Sequence, residues 1–293
     1  MRDARTERFY STIPTAQKAF VEHFYAAHAQ KSLDVNGVTW EYLDAGTGPR
    51  VLLLLHGGFV AFDMWIHQIV AFEQDYRVLA PTCPALPRAT MRAYADALQA
   101  ILREEGVERL DVMGYSEGGL IAQCFLRDHP AMIDKAVLAH TFYPSPTSRY
   151  HRYNFNLFRI LPAFLTELIF RRFAKPDKEE LQHDSTEWLE WFRCYFQEQT
   201  HRLTKDRIVT HIDLMTDFVR NYHFHPDDLS AWDGRLLITV SADDVVLPYF
   251  EGMKRLYPNA AYHMFEKGLG AHSIALISPE VFNRRIRQFL EGQ

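Results

Sequence analysis

Hydrophobic residues in this chain gather in short runs, at Val51 to Leu55, Arg77 to Ala80, Leu110 to Met113, Lys135 to Ala139, Leu236 to Val240 and Ala261 to Phe265. An aliphatic run without polar alternation suits a strand covered on both faces. Helix-prone segments separate these runs, at Phe62 to Phe72, Ala89 to Glu105 and Glu117 to His129, with another near Pro279 to Leu290 at the end of the chain. Strand and helix thus alternate with short connections, which predicts an α/β class with a parallel sheet wound on both faces.

The three remaining regions read differently. From Pro14 to Gln30 the apolar residues Ala16, Ala19, Phe20, Phe24 and Ala27 fall at helical spacing, so a helix is expected there, with His23 and His28 on its surface. From Ser32 to Gly48 two short strands flank Asn36-Gly37, a hairpin turn pair, and should form an antiparallel sheet edge. Tyr143 to Asp228 is rich in Phe, Tyr, Trp and Arg, contains no strand pattern and is broken at Pro162, Pro176 and Pro226. It reads as an inserted helical cap. Its most apolar segment, Leu157 to Phe173, ends in Arg171 and Arg172 and either lies over the core or touches lipid. The expected organisation is an N-terminal helical extension at 1–31, a core at 32–142 and 229–293, and a cap at 143–228.

Composition narrows the function. With 293 residues, 47% of them hydrophobic, the chain can bury a large core. A net charge of −5 gives no general attraction to nucleic acid or to anionic membrane surfaces. Cys83, Cys124 and Cys194 lack paired spacing, which argues against disulfides or a cysteine metal site and for buried fillers. There is no secretory signal and no membrane-spanning stretch, so a soluble, cytoplasmic protein is expected, with the oligomeric state open to a homodimer.

Candidate chemistry sits where strands end. Leu110 to Met113 runs into Gly114-x-Ser116-x-Gly118, followed at once by a helix. This is a nucleophile elbow, a sharp turn that lifts a serine hydroxyl above the sheet while glycines allow close packing. The helix then begins behind the serine and aims its free N–H groups at any oxyanion formed there. Val51 to Leu55 runs into His56-Gly57-Gly58-Phe59, whose backbone is the expected second source of an oxyanion donor, Gly58 first and Phe59 second, alongside the N–H of Glu117. Asp243 and Asp244 follow a later strand, and His272 stands in a glycine-flanked loop after the last.

The order serine, acid, histidine resembles the α/β-hydrolase fold family. The resemblance rests on His56-Gly57-Gly58, Gly114-Tyr-Ser116-Glu-Gly118-Gly119, Ser241-Ala-Asp-Asp244-Val-Val-Leu-Pro248 and Gly270-Ala-His272-Ser273. It implies a mostly parallel eight-stranded sheet with helices on both faces, an inserted cap over the pocket, and Ser116, Asp244 and His272 as a catalytic triad. The family's acid stands four residues before a proline, which selects Asp244 over Asp243. The implied activity is that of a serine hydrolase, carboxylesterase-like, acting through an acyl-enzyme on a small to medium, partly apolar ester, with no metal and no organic cofactor. Thioester, amide and carbon–carbon bond hydrolysis use the same residues and stay open, as does a non-catalytic binding protein on this fold. A serine nucleophile disfavours the family's dehalogenase and epoxide hydrolase routes, which need Asp.

Three features depart from the pattern or stand outside it. Pro81-Thr-Cys-Pro-Ala-Leu-Pro87 replaces the family's glycine-rich loop, so a stiffer pocket wall is expected. Glu117 takes the place of an apolar residue, and its carboxylate either faces the site, favouring cationic or neutral acyl groups, or turns to a salt bridge behind the elbow. His223-x-His225 beside Asp227 and Asp228 has the look of a metal cluster but lies outside the constellation.

Overall fold

The computed structural model describes residues 10–86, 88–145, 157–173 and 187–292. Eight strands form one sheet: β1 (Gln30–Val35), β2 (Val38–Ala45), β3 (Arg50–Leu55), β4 (Tyr76–Thr82), β5 (Leu110–Tyr115), β6 (Ile133–Ala139), β7 (Arg235–Ser241) and β8 (Ala261–Phe265). Their order is β1-β2-β4-β3-β5-β6-β7-β8. The first two strands are antiparallel, as is the β2/β4 pair, and every pair beyond them is parallel. The fold is the eight-stranded, mostly parallel one expected for an α/β hydrolase.

The hairpin turns where expected. Asn36 and Gly37 both hold positive φ, 56° and 80°, and Asp34 Oδ1 accepts the Gly37 N–H at 2.9 Å. Two positive φ values in a row make the tight turn that matches the twist of paired strands.

Unbroken aliphatic runs are explained by what covers each face. In β3, Leu53 and Leu55 pack with Leu98, Ile101 and Phe125, whereas Leu52 and Leu54 pack with Trp65, Phe72 and Phe282 on the other side. Helices α3 (Met91–Glu104), α4 (Glu117–Asp128) and α9 (Phe250–Leu256) supply the first layer. Helices α1 (Thr15–Ala27), α2 (Ile66–Phe72), α10 (Ile274–Ile277) and α11 (Pro279–Leu290) supply the second. A substitution to a polar residue at any of the four leucines therefore strands a polar group between two dry layers.

Between β6 and β7 the described residues form α5 (Leu157–Ile160), α6 (Ala163–Phe173), α7 (Leu189–His201) and α8 (Lys205–Asn221), with no strand among them. Pro162 separates α5 from α6, as expected, because it cannot continue the preceding turn. Pro176 lies outside the described residues, and α8 ends at Asn221, ahead of Pro226. Leu157, Ile160, Phe164 and Leu168 stay exposed along one side of α5 and α6.

The N-terminal helix is present but rotated from the expected face. Gln17, Val21 and Phe24 are buried, whereas Ala16, Ala19 and Ala27 are exposed. Alanine methyls bury little area, so the large Phe24 and Val21 side chains decide the orientation. Gln17 is drawn in with them because its amide donates to the Glu187 carbonyl. His28 also departs from the surface position expected of it: its Nε2 meets Glu73 Oε2 at 2.6 Å and its side chain is mostly covered.

Candidate active site

The C-terminal ends of the parallel strands converge on one place. Ser116 directly follows β5 and holds φ 52° and ψ −116°, a conformation strained for any residue but glycine. The surroundings force it: the Ser116 N–H donates to the Ala139 carbonyl at 3.0 Å, and its carbonyl accepts from Thr141 Oγ1 at 2.7 Å and from the Gly119 N–H at 3.0 Å. The glycines beside it are needed for space. A methyl at Gly114 would stand 2.3 Å from the Gly118 carbonyl oxygen, and one at Gly118 would stand 2.1 Å from that of Leu55.

His272 Nε2 lies 3.1 Å from Ser116 Oγ, and its Nδ1 lies 2.8 Å from Asp244 Oδ1. With Nδ1–H donating to the carboxylate, Nε2 carries the lone pair that accepts the serine hydroxyl. Positive φ at Gly270 (110°) and Ala271 (44°) turns the loop, and Tyr115 Oη donates to the His272 carbonyl at 2.6 Å. Asp244 Oδ1 also accepts the Val246 N–H at 2.9 Å. Asp243, the other acid of the pair, faces away, accepting the Gly268 N–H at 3.0 Å and so bracing the loop that leads to His272.

One member of this cluster was missed in the sequence. His140 directly follows β6, is fully buried at 0% exposure, holds a positive φ of 51°, and places Nδ1 2.5 Å from Asp244 Oδ2. Burial is the largest influence on its imidazole and lowers its pKa against the raising pull of Asp244, so the neutral ring donates from Nδ1. Burial alone would raise the Asp244 carboxyl, but the combined attraction of His272 and His140 outweighs it and holds Asp244 well below the usual carboxylate range. The available signal was a histidine directly after an aliphatic strand, without the glycine punctuation that marks His272.

The loop after β3 closes the other side. Gly57 and Gly58 line a cavity of about 230 Å³ together with Ser116 and His272. Phe59 does not line it; that ring turns to a recess shared with Glu117 and His211. His56 is buried, its pKa lowered chiefly by that burial, and it pins the loop by donating from Nδ1 to the Gly57 carbonyl at 2.7 Å and accepting the Cys83 N–H at Nε2, at 2.9 Å. Cys83, in the proline-rich stretch after β4, thus supports this loop from behind, and none of the described residues of that stretch lines the cavity at Ser116. Val60, Met64 and Leu276 complete an apolar lining with Phe192, Tyr195 and Phe196 of α7. Tyr195 is fixed by its hydroxyl, which donates to Asp63 Oδ1 at 2.9 Å.

Glu117 sends its carboxylate away from this cavity, where it accepts a hydrogen bond from His211 Nδ1 on α8. Of the two orientations open to it in the sequence, the structure has the one turned behind the elbow, with a histidine as the partner. A larger cavity of about 640 Å³ between α1 and α7 contains neither Ser116 nor His272, and its two buried acids are already engaged, Asp63 by Tyr25 and Glu198 by Tyr10 and Arg202. Size alone does not mark the site.

His225 pairs with Asp227 at 3.3 Å on an exposed turn. Among the described residues, the grouping with ligand atoms near enough to hold a metal is His140, Asp244 and His272, and these atoms are spent on one another. No helix among the described residues is long and apolar enough to cross a membrane.

Comparison with known proteins extends these observations. The chain is 22% identical over 272 residues, 85% of its length and 89% of the other's, to 2-hydroxy-6-oxononadienedioate/2-hydroxy-6-oxononatrienedioate hydrolase 1 of Dechloromonas aromatica. It is 26% identical over 275 residues, 84% and 89% of the two chains, to 2-hydroxy-6-oxo-6-phenylhexa-2,4-dienoate hydrolase of Burkholderia cepacia. Among solved structures, carboxylesterase CesB (YbfK) from Bacillus subtilis shares the fold at a TM-score of 0.69, with 19% identity and coverage of 98% of this chain and 99% of that one. Both of these sequence relatives are hydrolases. The family model described as alpha/beta hydrolase fold matches residues 50–266, from β3 past the end of β8, and the chain belongs to that family.

Proposed function

We propose that the protein is a serine hydrolase acting on a small, uncharged, partly apolar carboxylic ester. The observation that carries this reading is the contact chain Ser116 Oγ to His272 Nε2 at 3.1 Å and His272 Nδ1 to Asp244 Oδ1 at 2.8 Å, at the floor of a cavity. His272 takes the hydroxyl proton as Ser116 Oγ attacks the carbonyl carbon, and Asp244 stabilises the imidazolium that results. The backbone N–H groups of Gly58 and Glu117 receive the oxyanion, Gly58 being favoured over Phe59 because it faces the cavity. His272 then protonates the leaving alcohol, a water deprotonated by the same ring attacks the acyl-enzyme, and the acid departs. The helical segment between β6 and β7 serves as a cap, since Phe192, Tyr195 and Phe196 of α7 wall the cavity.

A cavity of about 230 Å³ is below the roughly 300–1,000 Å³ usual for drug-sized ligands, which favours a short acyl group. Carbon–carbon bond hydrolysis is the second reading, favoured by the relatives. A 2-hydroxy-6-oxo-dienedioate has no ester or amide bond, so its hydrolysis must break a carbon–carbon bond beside the ketone. Such substrates are anionic, however, and none of the described residues lining the cavity is Lys or Arg. An uncharged ester fits that lining better.

The test is hydrolysis of short-chain aryl esters, and labelling by a fluorophosphonate, by the wild type and Ser116→Ala. Both activities present in the wild type and lost in the variant support the reading. A folded wild type that neither labels nor hydrolyses any ester, dienoate or thioester points instead to a binding protein.

A further inference from the structure

Resting on the Ser116 reading, we propose that His211, carried by the helical segment between β6 and β7, is a positioning residue for the oxyanion site. The two backbone donors come from distant parts of the chain, Gly58 after β3 and Glu117 after Ser116, and nothing in their covalent connection fixes their separation. One imidazole lies beside both residues. Its Nδ1 donates to the Glu117 carboxylate, and a methyl built on Gly58 would lie 2.9 Å from that same Nδ1 and 3.4 Å from Glu117 Oε2. The Phe59 ring packs against the same imidazole, its centroid 4.3 Å from that of His211, on a residue held at φ 65°.

The helix that bears His211 is itself anchored to that loop and to the stretch after β4. One turn earlier, Arg207 donates to the Val60 carbonyl at 2.6 Å, and Thr210 exchanges hydrogen bonds with both the N–H (2.9 Å) and carbonyl (3.1 Å) of Leu86. The Glu117 side chain is almost fully covered, so a carboxylate there without its imidazole partner would be left in a poorly solvated recess and would move to find another. Any such movement pulls on the first residue of α4, whose N–H is one of the two donors. His211 therefore holds the donor pair at a set spacing without touching the reacting atoms. It also accounts for an acid directly after the serine, where the side chain would otherwise be buried beside the site with no partner.

Oxyanion donors act on the transition state, so their misplacement should appear in kcat while KM stays nearly fixed. The experiment compares His211→Leu, which fills the space without a donor, with His211→Asn, whose amide N–H can replace Nδ1–H. Steady-state kinetics are measured on an aryl ester and on the matching thionoester, whose sulfur is a poor acceptor and gains little from the donors. We expect His211→Leu to lose about 10- to 100-fold in kcat on the ester and much less on the thionoester, and His211→Asn to stay within about fivefold of wild type. Equal losses in both variants, or an unchanged ester to thionoester ratio in His211→Leu, overturn the assignment. Ser116→Ala run alongside separates the two readings: if it stays active the serine mechanism itself falls, whereas an inactive Ser116→Ala beside an unimpaired His211→Leu removes only the role of His211.

Discussion

His140 donates from Nδ1 to Asp244 Oδ2 at 2.5 Å, on the carboxylate oxygen that His272 does not use. The acid is thus held between two imidazoles, one of them wholly buried. Replacing His140 with Leu leaves Oδ2 as a buried acceptor without a donor, which costs about 1–3 kcal/mol of stability. It also frees the carboxylate to rotate away from His272, so kcat is expected to fall roughly tenfold or more while KM changes little. Urea unfolding and steady-state kinetics on the same preparation check both halves. His140→Leu with wild-type kcat would show that backbone contacts alone orient Asp244.

The elbow glycines give a second expectation. An added methyl at Gly114 meets the Gly118 carbonyl oxygen at 2.3 Å, and one at Gly118 meets the Leu55 carbonyl oxygen at 2.1 Å, so in both cases the obstacle is backbone that has no rotamer to change. Gly114→Ala and Gly118→Ala should each lose roughly 3 kcal/mol or more by urea unfolding, and each should lower labelling of Ser116 in whatever fraction folds. Gly106→Ala is a comparison with no steric obstacle, since nothing lies within 4 Å of a methyl there. Its cost comes only from φ 67° and is about 1 kcal/mol.

Most of the sheet was legible because each central strand is covered on both faces and therefore written as an unbroken aliphatic run, as in Leu52 to Leu55. Ser116, Asp244 and His272 were legible as positions for a related reason: sharp turns at strand ends demand glycine or proline nearby, and those residues mark the place. Contacts made by the helical insertion were not. His211 meets Glu117 across 94 positions of sequence, and no local pattern encodes which turn of α8 lands on the elbow. The face of α1 failed for another reason, since a periodicity built mainly on alanines carries little burial energy beside one Phe and one Val. His140 sits between these cases, placed by the strand but given its meaning only by Asp244.

The cavity wall offers a prediction about substrate size. Phe196 is only half-buried, whereas its neighbour Phe192 is almost fully covered, so truncating Phe196 opens the cavity with less damage to the core. Phe196→Ala is expected to cost about 1–2 kcal/mol of stability and to move the optimum in a series of aryl esters toward longer acyl chains. An unchanged optimum would place the acyl group elsewhere, on the side of Val60 and Leu276.

At the far end of β5 from Ser116, Asp111 makes stability depend on pH. It is about 2% exposed, its Oδ2 pairs with Arg50, and its Oδ1 has no partner among the described residues. Burial is the dominant influence and pushes its carboxyl up to about 6, against the lowering pull of Arg50 and Lys135. An unfolded chain ionises this group near the ordinary value of about 3.9. Below that pH both states hold the proton and the group is neutral in each. As pH rises from about 4 to 6 the unfolded state releases its proton while the folded state retains it, so stability falls across that window and levels off above it. The full drop is on the order of 2–3 kcal/mol. Asp111→Asn cannot ionise in either state and lacks this slope. The difference in unfolding free energy between variant and wild type should therefore shift by roughly 2 kcal/mol in favour of the variant between pH 4.5 and pH 7. The slopes of all other groups cancel in that difference, so a constant offset, whatever its size, would mean that Arg50 keeps Asp111 ionised throughout.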